Sequence, residues 1–597
     1  MKRFIQYKKV MGLAMAALAF TACSDQWDDH YSDAPLPGAN SGTLWQAIEK
    51  NEQLSNFKRV AEACGYDQVL KSTQSFTVFA PSNSHFTEKQ ADSVIALYQT
   101  DLNAGARRAD NKAVKEFLNN HIARYNHSVT TTSLDTLTML NGKYMSLSAG
   151  LFGGKNVLSS NELYGNGVLF TIDEPVHFYN NIFESIEKVS GLDSVKAFFY
   201  SKRYYTYEID EANSVLGGID SLGRNYFSDS VMVKYNSLFF EKAYLGRLNS
   251  EDSTYWVILP DNNEWDRMVT EFTPYFMYHK KISEPYDSMR WVKPRLAILE
   301  GTTFSQNTNL GLRDYAEGNT NANIDSLMST YAVPAEYRRF YWGNDSLHFY
   351  QYGDKENPLN PFAAGGIFDG VEKFQCSNGQ LLKSSQWPID RKQTFLRDIV
   401  VEAENAHIQY NEKTTSSKMV TYTWLEGTEM YNRLSNHSCL EIKPRDEKDK
   451  VEIAIGIPDV LSNVPYDIYM VAVPECVFDS TLVNGIKFNA FRLYKDLEGE
   501  GPTLEGIDSL TTDPIENDPA YKLGSYSGKE KGQGYGLDID TICLGKNIIF
   551  PSCSYGLDDP EVRIRIKGNV SSRDKNVTRT MRIDCIIFRQ RIDPTTE

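Results

Sequence analysis

The sequence predicts an α+β chain. Two successive segments mix amphipathic helices with short buried strands, and an all-β segment with sandwich or jelly-roll spacing follows. Three observations predict this. Leu44, Trp45 and Ile48 share one helical face, and Leu54, Phe57, Val60, Ala61 and Cys64 continue at spacings of three and four. The alternating run Phe76–Ala80 then reads as a strand stopped by Pro81, and Thr254–Trp265 later repeats the pattern of strand, proline and cap. From residue 391 onward, short β-rich runs are separated by turn residues and helical periodicity is scarce.

Composition bounds the function classes. The 597 residues are 41% hydrophobic and 12% aromatic, enough for several packed cores and unlike a disordered or fibrous chain. The net charge of −16 argues against a nucleic-acid partner, because neutralising phosphates needs surplus Lys and Arg.

The N-terminus reads as a targeting signal over 1–22. Lys2, Arg3, Lys8 and Lys9 precede the apolar run Val10–Phe20. Eleven residues are too short to span a bilayer as a helix and suit the apolar core of a secretory signal. Thr21-Ala22-Cys23 resembles a bacterial lipobox, with Phe20 where that motif usually has Leu. The resemblance implies acylation, including palmitate, on Cys23. Ser24, Asp25, Asp28 and Asp29 follow in an acidic stretch that resembles the surface-export signal of certain Gram-negative lipoproteins. Its plain reading is a solvated tether, here 23–42. Asp-(Ser/Thr)-apolar triplets such as Asp92-Ser93-Val94, Asp135-Thr136-Leu137 and Asp220-Ser221-Leu222 look like the O-glycosylation acceptor of the same bacterial group. Each is also an ordinary turn or cap pair.

Residues 43–188 form the first expected domain. Ser82 or Asn83 can cap the helix after Pro81; Val114, Phe117, Leu118 and Ile122 mark another helix. Asn141-Gly142 signals a hairpin turn, and Asn166-Gly167 precedes a buried strand, Val168–Ile172. On these residues the segment resembles the fasciclin domain. Phe76–Phe86 is similar to its first signature, Leu118–Ile122 to its second and Gly165–Asp173 to its closing strand. The resemblance implies a small β-wedge decorated with helices, and structural packing for His85 and His121. Residues 189–390 resemble a second, divergent copy. Thr254–Trp265 repeats the first signature and Phe374–Leu382 the closing one, with a polar, aromatic insertion around Asn307–Phe368 between them. No second-signature His-Ile pair is evident there.

Residues 391–597 carry β-rich runs at Ile399–Ala403, Val451–Ile457, Tyr466–Val473, Ile548–Phe550, Val562–Ile566 and Met581–Phe588. Val400–Ala406 resembles the opening strand of some carbohydrate-binding jelly rolls, and Arg582–Ile587 their closing strand. That resemblance implies a structural calcium held by Glu402, Glu404 and Asp584, an anionic oxygen set that suits this hard cation. Alternating Glu on an edge strand is the simpler reading.

No catalytic constellation is visible. H-E-x-x-H, G-x-S-x-G, the P-loop and the dinucleotide fingerprint are all missing from the sequence. Carboxylates are plentiful, but a hydrolytic pair carries no local signature. The cysteines offer no C-x-x-C, so zinc is not suggested; Cys543 and Cys553 are either a local bridge or buried small hydrophobes. Phe340, Tyr341 and Trp342, inside the insertion, are a candidate recognition cluster, since exposed aromatics stack on sugars and anchor interfaces.

The expectation is therefore a non-enzymatic lipoprotein of the outer membrane, lipid-anchored and facing the exterior. It would bind a glycan, a peptide or a partner protein, as an accessory of a TonB-dependent nutrient importer and its lipoprotein partners. The alternative is an adhesin for cell–cell or matrix attachment. No cofactor is expected beyond the calcium, and no nucleic acid.

Overall fold

The computed structural model describes residues 39–592, apart from 131–133, 210–214, 230–231, 283–285, all but a few positions of 317–365, 411–416, 503–514 and 558. The chain divides into two compact units, Met1–Tyr179 and Asn180–Glu597.

In the first unit, helices α1 (Leu44–Lys50), α2 (Ser55–Ala63) and α3 (Tyr66–Lys71) bury the predicted apolar faces. Thr43 and Gln46 close a capping box that starts α1. Strand β1 (Phe76–Pro81) is buried throughout. Helix α4 (Glu88–Asn103) follows, capped at Thr87 rather than at Ser82 or Asn83. Further on come β2 (Ile122–Arg124), β3 (Leu134–Thr138), β4 (Tyr144–Ser148), β5 (Leu151–Phe152), β6 (Lys155–Tyr164) and β7 (Gly167–Ile172). They form one sheet in the order β2-β1-β7-β6-β5-β4-β3. The predicted Asn141-Gly142 turn joins β3 to β4, with Gly142 at φ +80°. The helix expected over 114–122 is cut short. Helical turns end by Asn120, and Ile122 pairs with Val78 as strand. The reason is local: the His121 ring takes the Phe117 carbonyl that a continuing helix would use.

One side chain ties helices to sheet. Asn166 accepts from the Leu44 amide (2.8 Å) and donates to the carbonyls of Leu70 (2.9 Å) and Ser72 (2.7 Å). It thereby joins the start of α1 and the end of α3 to the start of β7. Gly167 follows at φ +157°, where an added Cβ would lie 2.1 Å from the Phe76 carbonyl oxygen. Only glycine lets β7 run parallel against β1 at that point.

The second unit builds the same device again. Helices α5 (Ile182–Lys188), α6 (Asp193–Phe199) and α7 (Leu238–Glu241) precede β12 (Tyr255–Pro260), and α8 (Asn262–Phe272) and α9 (Tyr286–Leu299) follow it. Between α6 and α7 lies a ribbon of β8 (Tyr205–Ile209), β9 (Val215–Ile219), β10 (Asn225–Asp229) and β11 (Met232–Asn236), paired β8 with β11 and β9 with β10. Strands β13 (Thr303–Ser305), β14 (Glu372–Cys376) and β15 (Gly379–Ser384) complete a sheet in the order β13-β12-β15-β14. β12 runs parallel to β15 from Tyr255↔Gly379 to Pro260↔Ser384, as β1 does to β7 from Phe76↔Gly167 to Pro81↔Ile172. Asn378 repeats Asn166. It accepts from the Ile182 amide (2.8 Å) and donates to the carbonyls of Leu248 (2.9 Å) and Ser250 (2.8 Å). Gly379 repeats Gly167, with its virtual Cβ 1.8 Å from the Tyr255 carbonyl oxygen.

The remaining strands form two facing sheets. The first contains β16 (Ile399–Glu402), β18 (Ser417–Thr423), β19 (Ser438–Pro444), β21 (Tyr466–Ala472), β24 (Asp540–Ile548) and β26 (Met581–Gln590), ordered β18-β19-β26-β21-β24 with β16 also on β26. The second contains β17 (Gln409–Tyr410), β20 (Glu452–Gly456), β22 (Phe488–Leu493), β23 (Lys522–Tyr526) and β25 (Arg563–Gly568), ordered β17-β20-β25-β22-β23. Leu440, Ile468, Ile564, Ile583 and Phe588 are buried in the core that the two sheets enclose. Of the expected strand Ile548–Phe550 only Ile548 is strand, as the last residue of β24; Ile549 and Phe550 lie outside it, and Pro551 follows. β18 escapes sequence reading because it is an edge strand with most side chains exposed. This sandwich shares a core with the second fasciclin-like segment through Phe272, Phe276, Phe395 and Tyr555. Main-chain bonds reinforce it: Cys553 donates to the Met277 carbonyl (2.9 Å) and Ser462 to that of Tyr275 (3.0 Å).

The two asparagines yield a direct test. Asn166→Ala and Asn378→Ala each remove three hydrogen bonds, two of them buried, and strand one backbone N–H and two carbonyls. Each is expected to destabilise its own unit by about 2–4 kcal/mol, read as a lower urea midpoint for the transition of that unit in the full chain. Asn166→Asp keeps the acceptor but loses both donors and adds a buried charge, and should be at least as damaging.

Candidate functional site

Cys23, Ser24, Asp25, Asp28 and Asp29 lie outside the described residues, and so do Phe340, Tyr341 and Trp342. Among the described residues no helix is long and apolar enough to cross a membrane.

His121 is fully buried. Its Nδ1 is 2.7 Å from the Phe117 carbonyl oxygen and donates to it, leaving Nε2 to accept from the Val176 amide at 3.0 Å. Burial pushes its pKa down to about 4. The ring is therefore neutral near pH 7 and wired at both nitrogens into the backbone. The second copy supports a structural role. The strand registers place Thr302 where the first copy has His121: Phe79 donates to the His121 carbonyl (2.8 Å) and Ile258 to that of Thr302 (3.0 Å). The Thr302 hydroxyl donates to the Leu299 carbonyl at 2.9 Å, closing the same turn without an imidazole. Sequence reading missed this position because a different residue type fills it. His85 is exposed.

Beside the His121 turn, a cleft of about 450 Å³ opens between α4 and the segment 174–178. Leu97, Phe117, Val176 and Phe178 supply apolar walls, and a Lys155–Glu174 ion pair (2.8 Å) lies at its rim.

In the sandwich, the strands bring the three predicted carboxylates to one turn. Glu402 and Asp584 are buried on neighbouring strands β16 and β26, where Glu402 pairs with Cys585. The Ser435 backbone amide donates to Asp584 Oδ2 (3.1 Å), the Ser435 hydroxyl to Glu402 Oε1, and the Asn436 side-chain Nδ2 to Glu404 Oε1 (3.3 Å). Asn436 and His437 hold left-handed φ values of +48° and +55°, which aims the turn back at the carboxylates. Burial and then the charges of Asp584, Glu402 and Glu404 push the Cys585 thiol well up. Sequence reading missed Ser435 and Asn436, which carry no motif. Among the described residues no group of three or more His, Cys, Asp or Glu side chains is arranged to hold a metal ion. On the same sheet, buried Glu441 takes Arg582 (2.6 Å) and Lys443 (2.6 Å), and the Arg582 guanidinium lies 4.4 Å from the Phe478 ring centre.

The described cysteines, Cys543 and Cys553 among them, are free thiols. Burial pushes the Cys553 thiol up to about 12, which makes it an inert core group. Of the triplet hydroxyls, Ser93, Thr136 and Ser221 are exposed.

Residues 52–177 match the family model described as the fasciclin domain. Mouse stabilin-1 is 31% identical over 97 residues, which is 16% of this chain and 3% of stabilin-1. The chain thus spans only a small part of that curated relative. Among solved structures, a FAS1 domain pair from the insect cell adhesion molecule fasciclin I covers 58% of this chain and 99% of its own, at 12% identity and a TM-score of 0.19. A Paenibacillus xanthan lyase covers 35% of this chain and 15% of its own, at 11% identity and a TM-score of 0.18. The fasciclin match thus lies within the first unit.

The buried histidine sets a pH dependence. The His121 pKa is lower folded than unfolded, so the unfolded chain binds more protons between about pH 6.5 and 4. Stability of the first unit should be full near pH 7 and fall by about 3 kcal/mol as pH drops through that window. His121→Asn should flatten this fall relative to the parent chain in urea titrations at pH 7 and pH 4.5.

Proposed function

We propose that this chain is a non-catalytic, surface-exposed lipoprotein of the outer membrane that captures a glycan or a partner protein. Its finer role is that of accessory subunit to a TonB-dependent nutrient importer. A fasciclin domain fits a surface binding or adhesion role. The observation that carries the reading is the duplicated Asn-Gly core, built first around Asn166 and then around Asn378. The second core tolerates the ribbon between α6 and α7 and a long segment between β13 and β14 without change to its strand register. A scaffold whose core survives such additions suits presentation of variable surface. Tethering through Cys23 would raise local concentration at the importer, so modest single-site affinity would suffice.

Cys23→Ala should release the chain from the membrane fraction, read by fractionation and blotting. A C-terminally tagged chain extracted in mild detergent should bring down a β-barrel importer in near-stoichiometric yield, identified by mass spectrometry. Recovery of the lipoprotein alone, with loss of cell aggregation or matrix attachment on deletion, would instead establish the adhesin reading that the tandem fasciclin fold also suits.

We also propose calcium at the Glu402–Asp584 turn, with Glu404 at its edge. The Glu402, Glu404 and Asp584 carboxylates converge on Ser435 and Asn436, an anionic, oxygen-rich set of the kind this hard cation takes. Calcium also takes carbonyl, hydroxyl and water oxygens as ligands, so fewer than three side-chain acids can hold it. Calcium should raise the melting temperature of the second unit by several degrees over chelated protein, and Glu402→Gln with Asp584→Asn should abolish the difference. Equal melting with and without chelator would remove the ion.

A further inference from the structure

The two copies of the fasciclin scaffold differ sharply in what separates their second and third helices. In the first copy, α2 ends at Ala63 and α3 starts at Tyr66. In the second, α6 ends at Phe199 and α7 starts at Leu238, with the ribbon β8–β11 between them. The chain leaves that ribbon through Phe239 and Phe240, which wall a cleft of about 420 Å³. Gly246, Arg247, Ser250, Asp252, Ser253 and Tyr255 form the rest of the wall. The volume falls in the ordinary range for small-ligand sites.

The asparagine hubs align the copies residue by residue. Leu70 and Ser72 receive Asn166, and Leu248 and Ser250 receive Asn378. Arg247 therefore stands where the first copy has Val69, and the strand registers set Tyr255 opposite Phe76. A cation and a phenol have replaced two apolar residues at this one place, next to the inserted ribbon. Neither change is needed to hold the core, because the first copy closes the same core without them.

The cleft has the parts of a saccharide site. Arg247 is exposed and forms no ion pair among the described residues. Its guanidinium lies 5.4 Å from the Phe240 ring centre, and that ring is 54% exposed. The Phe240 ring stacks with that of Tyr235, the centroids 5.3 Å apart. Its position is thus set before a ligand arrives, which lowers the entropic cost of binding. Gly246, at φ +67°, brings the backbone against the Tyr255 ring, where a Cβ would lie 2.9 Å from the ring. The Arg247 amide donates to the Tyr255 hydroxyl at 3.5 Å, so the phenol points along the floor. Asp252, also in the wall, accepts from the Ser250 hydroxyl at 3.4 Å. A guanidinium fork matches a carboxylate. An exposed ring matches the apolar face of a pyranose. The Ser250, Ser253 and Asp252 oxygens match its hydroxyls.

We propose that this cleft binds a carboxylated saccharide, with Arg247 on the carboxylate and Phe240 under the sugar ring. The proposal rests on the glycan-capture reading above and names its ligand class and its site. With a net charge of −16, the chain as a whole repels polyanions, so retention on one must come from a local site.

The test is affinity electrophoresis of the full-length mature chain in native gels containing polygalacturonate, its methyl-esterified form, alginate or dextran. Retardation by polygalacturonate or alginate is expected, with none by the esterified polymer or dextran. Arg247→Ala and Phe240→Ala should each weaken the apparent affinity at least tenfold. Arg224→Ala, an exposed change on the ribbon, should leave it unaltered. Circular dichroism melting should match the parent chain for all three variants. No retardation by either carboxylated polymer would overturn the proposal, as would equal retardation of the parent and Arg247→Ala. Equal competition by polyglutamate would overturn the saccharide and make the occupant an acidic peptide. Arg247-dependent retention in a chain that recovers no importer would sink the accessory role and leave this site standing. Importer recovery with no retention would do the reverse.

Discussion

The two fasciclin-like cores of this protein depend on one arrangement, an asparagine side chain that does the work of a short strand. At Asn166 a primary amide faces the start of α1 and the end of α3 together, and at Asn378 it faces the start of α5 and the turn Leu248–Ser250. In both its oxygen satisfies the first orphan donor of a helix, and its nitrogen donates to two backbone carbonyls. The glycine that follows removes the Cβ that would collide with the neighbouring strand. Helices and sheet are thereby locked at one point, and the buried parallel pair propagates from it. No apolar contact could substitute, because three backbone groups, two of them in buried bonds, would be left without these partners.

With that lock in place, the connections between its parts are free to diverge. The first copy has a two-residue link between its second and third helices; the second inserts a four-strand ribbon there and keeps its register. His121 and Thr302 show the same tolerance on a smaller scale. Both cap the turn before an edge strand, one through an imidazole bridging two backbone groups and one through a hydroxyl. What the turn requires is a buried hydrogen-bonding side chain, and two chemistries meet that need.

Several of these features are legible without coordinates, for reasons that are local. Asn166-Gly167 ahead of a buried apolar run marks the hub, because the steric demand for glycine and the hydrogen-bonding demand for asparagine sit side by side. The spacing of Leu44, Trp45, Ile48, Phe57 and Val60 marks the helices, since one face must be buried. Glu402, Glu404 and Asp584 could be grouped only through resemblance, yet they do meet at one turn. The residues that gather them, Ser435 and Asn436, have no spacing to betray them; their backbone φ values bring them to the carboxylates. Thr302 was illegible because a motif search looks for residue identity, whereas the fold asks for a function at a position.

By itself, the sequence determined the apolar faces of the first helices, the first buried strand of each copy, the two asparagine–glycine closures and the acidic, aromatic character of the chain, because each follows from neighbours in sequence and from steric or solvation demands that act over a few residues. The tertiary structure alone decided that the second fasciclin-like segment and the sandwich share one core through Phe272, Phe276, Phe395 and Tyr555. It alone decided that Phe240 and Arg247 face one cleft. An apolar residue pattern says that a side chain will be buried, but not against what. That choice is made by contacts between residues far apart in sequence, where packing shape and hydrogen-bond geometry select one partner among many of similar hydrophobicity.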